Sequence, residues 1–212
     1  MKYLAFVRER FSKKDFPTFT AQDLKMSLKH TGIGVNYIYL MVHNLLRRKE
    51  IIRITRAVYT FHKDEAVVGF AFYPFYYGFE NALNIRGISE QGTNLIVVTP
   101  RNVRQGVRTF AGRNYRIKRI GGGMFFGYET MEYDGFTVPV SDVEKTVIDM
   151  LYFHDHIREE LWPEIARRMD MKKFRDYLKR YDGRFAERAL AEAESHMNKK
   201  RSTEFMGRKE RS

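Results

Sequence analysis

Two β-prone runs, Ile51–Ile54 and Ala57–Phe61, are separated by only Thr55 and Arg56. That spacing leaves room for a tight hairpin and little else. Three helical stretches precede it. Leu4, Val7 and Phe11 recur at i, i+3 and i+7, one buried stripe of a first helix. After Pro17, Thr20 stands before Ala21-Gln22-Asp23-Leu24 as a cap for a second helix, with Leu24 and Leu28 inward. Thr31-Gly32-Ile33-Gly34 supplies a turn, and a third helix is expected from about Gly34 to Arg48. Three helices and a tight hairpin in this order predict a winged helix-turn-helix, whose third helix enters a major groove beside its wing.

Projected at about 100° per residue, the third helix places Val35, Ile38, Val42, Leu45 and Leu46 on its core side, with Tyr39 at the core edge. Asn36, Tyr37, Leu40, Asn44 and Arg47 fall on the opposite side, with His43 and Arg48 at its margins. That outer side carries no acid and is rich in base-edge chemistry: Arg suits guanine, Asn suits adenine, and Leu can meet a thymine methyl. Asn36, Tyr37, Leu40, Asn44 and Arg47 are therefore the candidate base contacts. Thr20, Gln22, Lys25, His43, Arg48, Lys49, Arg53, Thr55 and Arg56 are the candidate backbone contacts, which add affinity without choosing sequence. An exposed leucine beside amides also fits a surface that docks on protein.

Charge distribution supports the nucleic-acid reading. Residues 1–62 hold 12 Lys/Arg against 4 Asp/Glu, residues 63–197 hold 20 against 20, and residues 198–212 hold 6 against 2. The excess thus sits at the two ends of a chain whose middle is neutral, the electrostatic footprint of a nucleic-acid binder.

The expected fold class is α+β. Residues 1–62 form the winged unit, 63–140 a small mixed α/β domain, 141–197 its helical C-terminal part, and 198–212 a basic, disordered tail. In the middle, Leu95–Val98, Tyr115–Ile120, Phe125–Tyr128 and Phe136–Val138 read as about four strands, the last two joined by a turn at Asp134-Gly135, with a helix over Phe79–Ile85 packed on them. Gly121-Gly122-Gly123 reads as a hairpin tip, since no helix follows to aim a dipole at a phosphate. Seven basic residues (Arg101, Arg104, Arg108, Arg113, Arg116, Lys118, Arg119) are either a solvated loop or a second nucleic-acid contact. Ser141-Asp142-Val143-Glu144 reads as a capping box, with Ser141 as cap and Glu144 reaching back.

The order of these elements resembles the AbiE-type antitoxins of abortive-infection and type IV toxin–antitoxin systems. Three stretches carry the resemblance: the winged segment ending in Ile54-Thr55-Arg56-Ala57-Val58-Tyr59; Tyr73-Pro74-Phe75-Tyr76-Tyr77-Gly78-Phe79-Glu80-Asn81-Ala82-Leu83 with its Gly87-Ile88 sequel; and Val140-Ser141-Asp142-Val143-Glu144-Lys145-Thr146-Val147-Ile148-Asp149. The resemblance implies a winged-helix repressor of its own promoter, bound to inverted repeats of double-stranded DNA. It also implies a C-terminal domain that antagonises a nucleotidyltransferase toxin, without a stable complex. Ala57 departs from the family's usual glycine before the Val-Tyr pair, a poor exchange if that position has a positive φ.

Other classes are weaker expectations. The chain lacks cysteine, which excludes thiolate nucleophiles and Cys-ligated zinc. His154 and His156 have no third ligand at useful spacing, and no metal or cofactor is expected. A metal-dependent nucleic-acid enzyme would have to gather Glu129, Glu132, Asp134, Asp142, Glu144 and Asp149, which are divided between strand ends, a turn and a helix. A protein–protein adaptor using the winged unit is the remaining alternative. No run approaches the roughly 18 apolar residues of a membrane span, and the N-terminus lacks a signal-peptide core. The expectation is a cytoplasmic regulator without enzymatic activity.

Overall fold

The structure, a computed structural model, describes residues 3–90 and 94–209. It is a mixed α+β architecture with a three-stranded and a six-stranded sheet. The N-terminal part runs α1 (Leu4–Phe11), β1 (Phe19–Thr20), α2 (Ala21–Ser27), α3 (Val35–Arg47), β2 (Ile52–Thr55) and β3 (Val58–Thr60). The three helices bury Leu4, Val7, Phe11, Leu24, Ile38, Met41, Val42 and Leu45 around one core. β3 lies between β1 and β2 and pairs antiparallel with both, so the strand before α2 is tied to the hairpin after α3. Thr55 pairs with Val58, which leaves Arg56-Ala57 as the turn, one residue later than the sequence spacing suggests. Ala57 has φ 64°, the left-handed conformation that its β-carbon opposes.

The six-stranded sheet has the order β6-β7-β5-β4-β9-β8. Its members are β4 (Tyr76–Tyr77), β5 (Leu95–Thr99), β6 (Gly106–Phe110), β7 (Arg113–Arg119), β8 (Tyr128–Tyr133) and β9 (Phe136–Ser141). β5–β7 and β4–β9 are parallel pairs and the others antiparallel. Six strands replace the four read from sequence: β4 has only two residues, β6 is too polar to show a period, and the run expected over Phe125–Tyr128 is strand only from Tyr128, where β8 begins. The β8–β9 turn is Asp134-Gly135, with φ 49° and 74°, and β6–β7 turns at Ala111-Gly112, with φ 49° and 85°. Positive φ at both central residues gives the primed turns that match strand twist.

One face of this sheet packs against the 3₁₀ segment Glu65–Phe72 and takes in Ile54 of the N-terminal hairpin. The other face is covered by α4 (Phe79–Ile85), α5 (Val143–Tyr152), α6 (Trp162–Arg168), α7 (Met171–Leu178) and α8 (Gly183–Lys209). α4 occupies the residues expected for it. Three local expectations need correction. Ser141 ends β9, and Asp142 caps α5 by accepting from the Lys145 N–H at 2.7 Å. Glu144 instead accepts from the Asp170 N–H at 2.7 Å, tying α5 to the start of α7. Gly121–Gly123 is no hairpin tip, because β7 and β8 are not neighbours; it leads a 3₁₀ turn on a crossover to the far sheet edge. The C-terminal tail also differs: the α8 backbone continues helical to Lys209, while residues 210–212 lie outside the described residues.

Candidate nucleic-acid interface

The candidate interface starts with how α2 and α3 are held. Thr20 and Asp23 form a reciprocal cap: the Asp23 N–H donates to Thr20 Oγ1 at 3.2 Å, and the Thr20 N–H donates to Asp23 Oδ2 at 2.7 Å. Thr20 is therefore committed to the helix start. α3 ends in a Schellman arrangement, with the Lys49 N–H on the Leu46 carbonyl and the Glu50 N–H on the Leu45 carbonyl, each at 3.0 Å. Lys49 takes φ 57° to make that turn. Arg8 grips Glu50 with two 2.7 Å bonds, which neutralises the acid nearest the end of α3.

The helix presents a different face from the one projected. Its buried stripe is Ile38, Met41, Val42 and Leu45. Val35 (44% exposed) and Tyr39 (61% exposed), expected in or beside the core, face solvent, and so does Leu40 (51%). Asn36, His43 and Arg47 are exposed as well, whereas Tyr37, Asn44 and Leu46 are half-buried, Tyr37 and Leu46 against the N-terminal core. At about 100° per residue the exposed arc turns by roughly 70° relative to the sequence projection. Of the expected base contacts, Asn36, Leu40 and Arg47 lie on this arc, and Tyr37 and Asn44 sit at its flank. Val35 and Tyr39 were missed. Met41 was the available signal, since 38, 41, 42 and 45 are an i, i+3, i+4, i+7 stripe.

Between α2, α3 and the hairpin turn lies a shallow groove of about 330 Å³, bordered by Thr20, Gln22, Lys25, Val35, Tyr39 and Ala57. It brings the expected contacts on α2 to the start of α3. Arg48 and Lys49 at the end of α3, and Arg53 and Arg56 on the hairpin, are exposed, and the Arg53 guanidinium lies 5.7 Å from the Tyr59 ring centre. Thr55 is half-buried and meets Arg108 of the large sheet.

That contact separates the second basic cluster into two groups. Arg113 pairs with Glu65, and Arg116 and Lys118 pair with Asp155. Burial pushes the Lys118 ammonium down, against the pull of Asp155. Among the described residues, Arg101, Arg104, Arg108 and Arg119 pair with no carboxylate, and Arg108 of these touches the hairpin. One Arg108 guanidinium donates to the Arg104 carbonyl at 3.0 Å and to Thr55 Oγ1 at 3.5 Å. Arg119 donates to Asn102 Oδ1 at 2.8 Å, and the Tyr115 hydroxyl donates to the Ile54 carbonyl at 3.3 Å. Arg108 and Tyr115 thus join the hairpin to the β6–β7 end of the large sheet.

A second polar cluster lies beneath the helices. Lys145 and Asp149 form an i, i+4 ion pair with both side chains 0% exposed. The Tyr76 hydroxyl donates to Asp149 Oδ2 at 2.6 Å, and Lys145 Nζ donates to the Tyr181 hydroxyl at 3.1 Å. Burial pushes the Asp149 carboxyl up and the Lys145 ammonium down, each against the opposing pull of its partner. With both charges sealed from solvent, the pair ties α5 to the sheet through Tyr76 and to the α7–α8 turn through Tyr181, and offers no atom to a substrate. Of the other acids considered for metal chemistry, Glu129 pairs with Arg86, while Asp142 and Glu144 share the Lys173 ammonium and Asp142 also accepts from the Tyr177 hydroxyl.

No protein-family model matches the chain, and no curated protein sequence matches it. Its fold is similar to the crystal structure of the RV2827C protein from Mycobacterium tuberculosis, at 10% identity and a TM-score of 0.58, over 92% of this chain and 79% of that one. This is a likeness of fold. Among the described residues no helix is long and apolar enough to cross a membrane.

Proposed function

We propose that this chain is a sequence-specific, double-stranded-DNA-binding transcriptional repressor. Residues 1–62 act as a winged helix-turn-helix, with α3 in the major groove and the β2–β3 turn on the flanking backbone. The observation that carries this reading is the solvent face of α3: it holds no acid, ends in Arg47, Arg48 and Lys49, and continues through Arg53 and Arg56. Arg101, Arg104 and Arg119 extend the cationic surface onto the large sheet. The resemblance to AbiE-type antitoxins adds the physiological role: repression at inverted repeats of its own promoter, and antagonism of a nucleotidyltransferase toxin encoded beside it.

The test uses the intact chain, because Ile54 of the hairpin is buried with the large sheet. Fluorescence anisotropy on duplexes enriched from a random pool is expected to show affinity that falls steeply with salt. Arg47→Ala should cost about 1–3 kcal/mol on the enriched duplex and relax its sequence preference. Arg56→Ala should weaken all duplexes alike. Absence of duplex binding at low salt overturns the proposal, and salt-insensitive capture of protein partners supports the adaptor alternative. Co-expression with a neighbouring nucleotidyltransferase tests the antitoxin role: growth arrest relieved by this chain is expected, and unrelieved arrest contradicts it.

A further inference from the structure

The turned face of α3 changes how it can read bases. Eight large hydrophobic side chains are exposed among the described residues, and three of them, Val35, Tyr39 and Leu40, fall within six positions. They occupy the N-terminal half of α3, the part of a recognition helix that meets base edges. Val35–Tyr39 and Asn36–Leu40 are both i, i+4 pairs, so the four side chains form one patch. Asn36 is its only amide. One amide can read one base by paired hydrogen bonds, which leaves apolar contact as the other means of discrimination. Only thymine carries a methyl group into the major groove. Lys25 and Ala57 line the same groove as Val35 and Tyr39, Arg56 adjoins Ala57, and Arg47 follows Leu40 about two turns on; this cationic frame fits an apolar recess in a polyanion.

We propose, on the reading of α3 as a recognition helix, that it recognises A·T pairs by covering thymine 5-methyl groups with Val35, Tyr39 and Leu40, while Asn36 bonds the adenine edge. Discrimination of A·T pairs then resides in the first half of α3, while Arg47, in its second half, reads a flanking base.

The probe is the duplex enriched from the random pool by the intact protein, remade with uracil in place of thymine one position at a time. Uracil keeps every hydrogen-bonding group and removes only the methyl. Each contacted thymine is expected to lose about four-fold in affinity on replacement, the factor for burying one methyl-sized group. In Leu40→Ala or Val35→Ala the corresponding loss should shrink towards none. Both residues are exposed, and unchanged thermal midpoints verify the fold. An enriched duplex with a G·C core, or one indifferent to uracil, overturns the inference and leaves DNA binding in place. Self-association abolished by Leu40→Ala, with no change in the uracil effect, overturns it in favour of a contact between copies. If nothing is enriched, the sequence-specific reading fails and this inference with it.

Discussion

Replacing Asp149 by Asn removes the carboxylate that ion-pairs with Lys145, which has no exposed side-chain surface; Asp142 acts on the ammonium only through space. The ammonium keeps the Tyr181 hydroxyl at 3.1 Å and the rings of Tyr76, Phe126 and Tyr181 at 5.2–5.9 Å. Neither substitutes for a full counter-charge. Leaving one member of a buried pair alone costs about 3–5 kcal/mol. Burial already pushes the Lys145 ammonium down, so its deprotonation offsets part of this penalty at high pH. Lys145→Met is expected to cost less, because Asp149, already pushed up, can take a proton. Lys145→Met/Asp149→Asn restores a neutral cluster, and its Asn accepts the Tyr76 hydroxyl. The double variant should therefore cost at least about 2 kcal/mol less than the sum of the single ones. Urea unfolding followed through Trp162, the sole tryptophan, reports this region, since its ring stacks on His196 at 4.2 Å in the same helical layer. A cost below about 1 kcal/mol for Asp149→Asn, or additive single effects, refutes the reasoning.

Three other outcomes are expected. Ala57→Gly relieves a positive φ and should stabilise by about 1 kcal/mol, a midpoint rise of roughly 2–4 °C by calorimetry; a fall contradicts the turn geometry. The Tyr177 hydroxyl is pushed up to about 12 by burial and by its bond to Asp142. A tyrosine in the unfolded chain loses its proton near 10, so Tyr177 stabilises the fold fully below that pH. Stability should fall from pH 10 towards pH 12. Lys173, raised by Asp142 and Glu144 despite its own desolvation, acts in the same direction. Tyr177→Phe should flatten the slope of urea midpoint against pH, and an unchanged slope argues against that assignment. Arg104→Ala/Arg119→Ala should lower the log–log salt dependence of duplex binding by about 2; an unaltered slope confines the footprint to the N-terminal unit.

Particular residues show why parts of this fold were legible in the sequence. The box read at Ser141–Glu144 was not, because Glu144 is taken by the distant Asp170 N–H, whereas the Thr20 cap and the Asp134-Gly135 turn were, because they act through local chemistry. Phe79–Ile85 was readable for the same reason. The six-stranded sheet was not: β4 has two residues, and β6 is exposed along most of its length. Such strands exist through tertiary pairing, which leaves no period behind. The phase of α3 fell between these cases. Its apolar residues surround most of the helix, and the deciding one was Met41, which tertiary packing puts at the centre of the stripe. The cationic cluster at 101–119 illustrates the limit of charge counting, because its acid partners, Glu65 and Asp155, lie about 40 residues away along the chain.

In the proposed complex the exposed face of α3 meets the duplex. The most direct measurement places a photo-activated crosslinking residue at position 43, in the middle of that face, and separately at position 6, an exposed site on α1. The intact protein is irradiated on its enriched duplex. DNA adducts are expected from position 43 and none from position 6; adducts from position 6 with none from position 43 would place another face of the protein on the duplex.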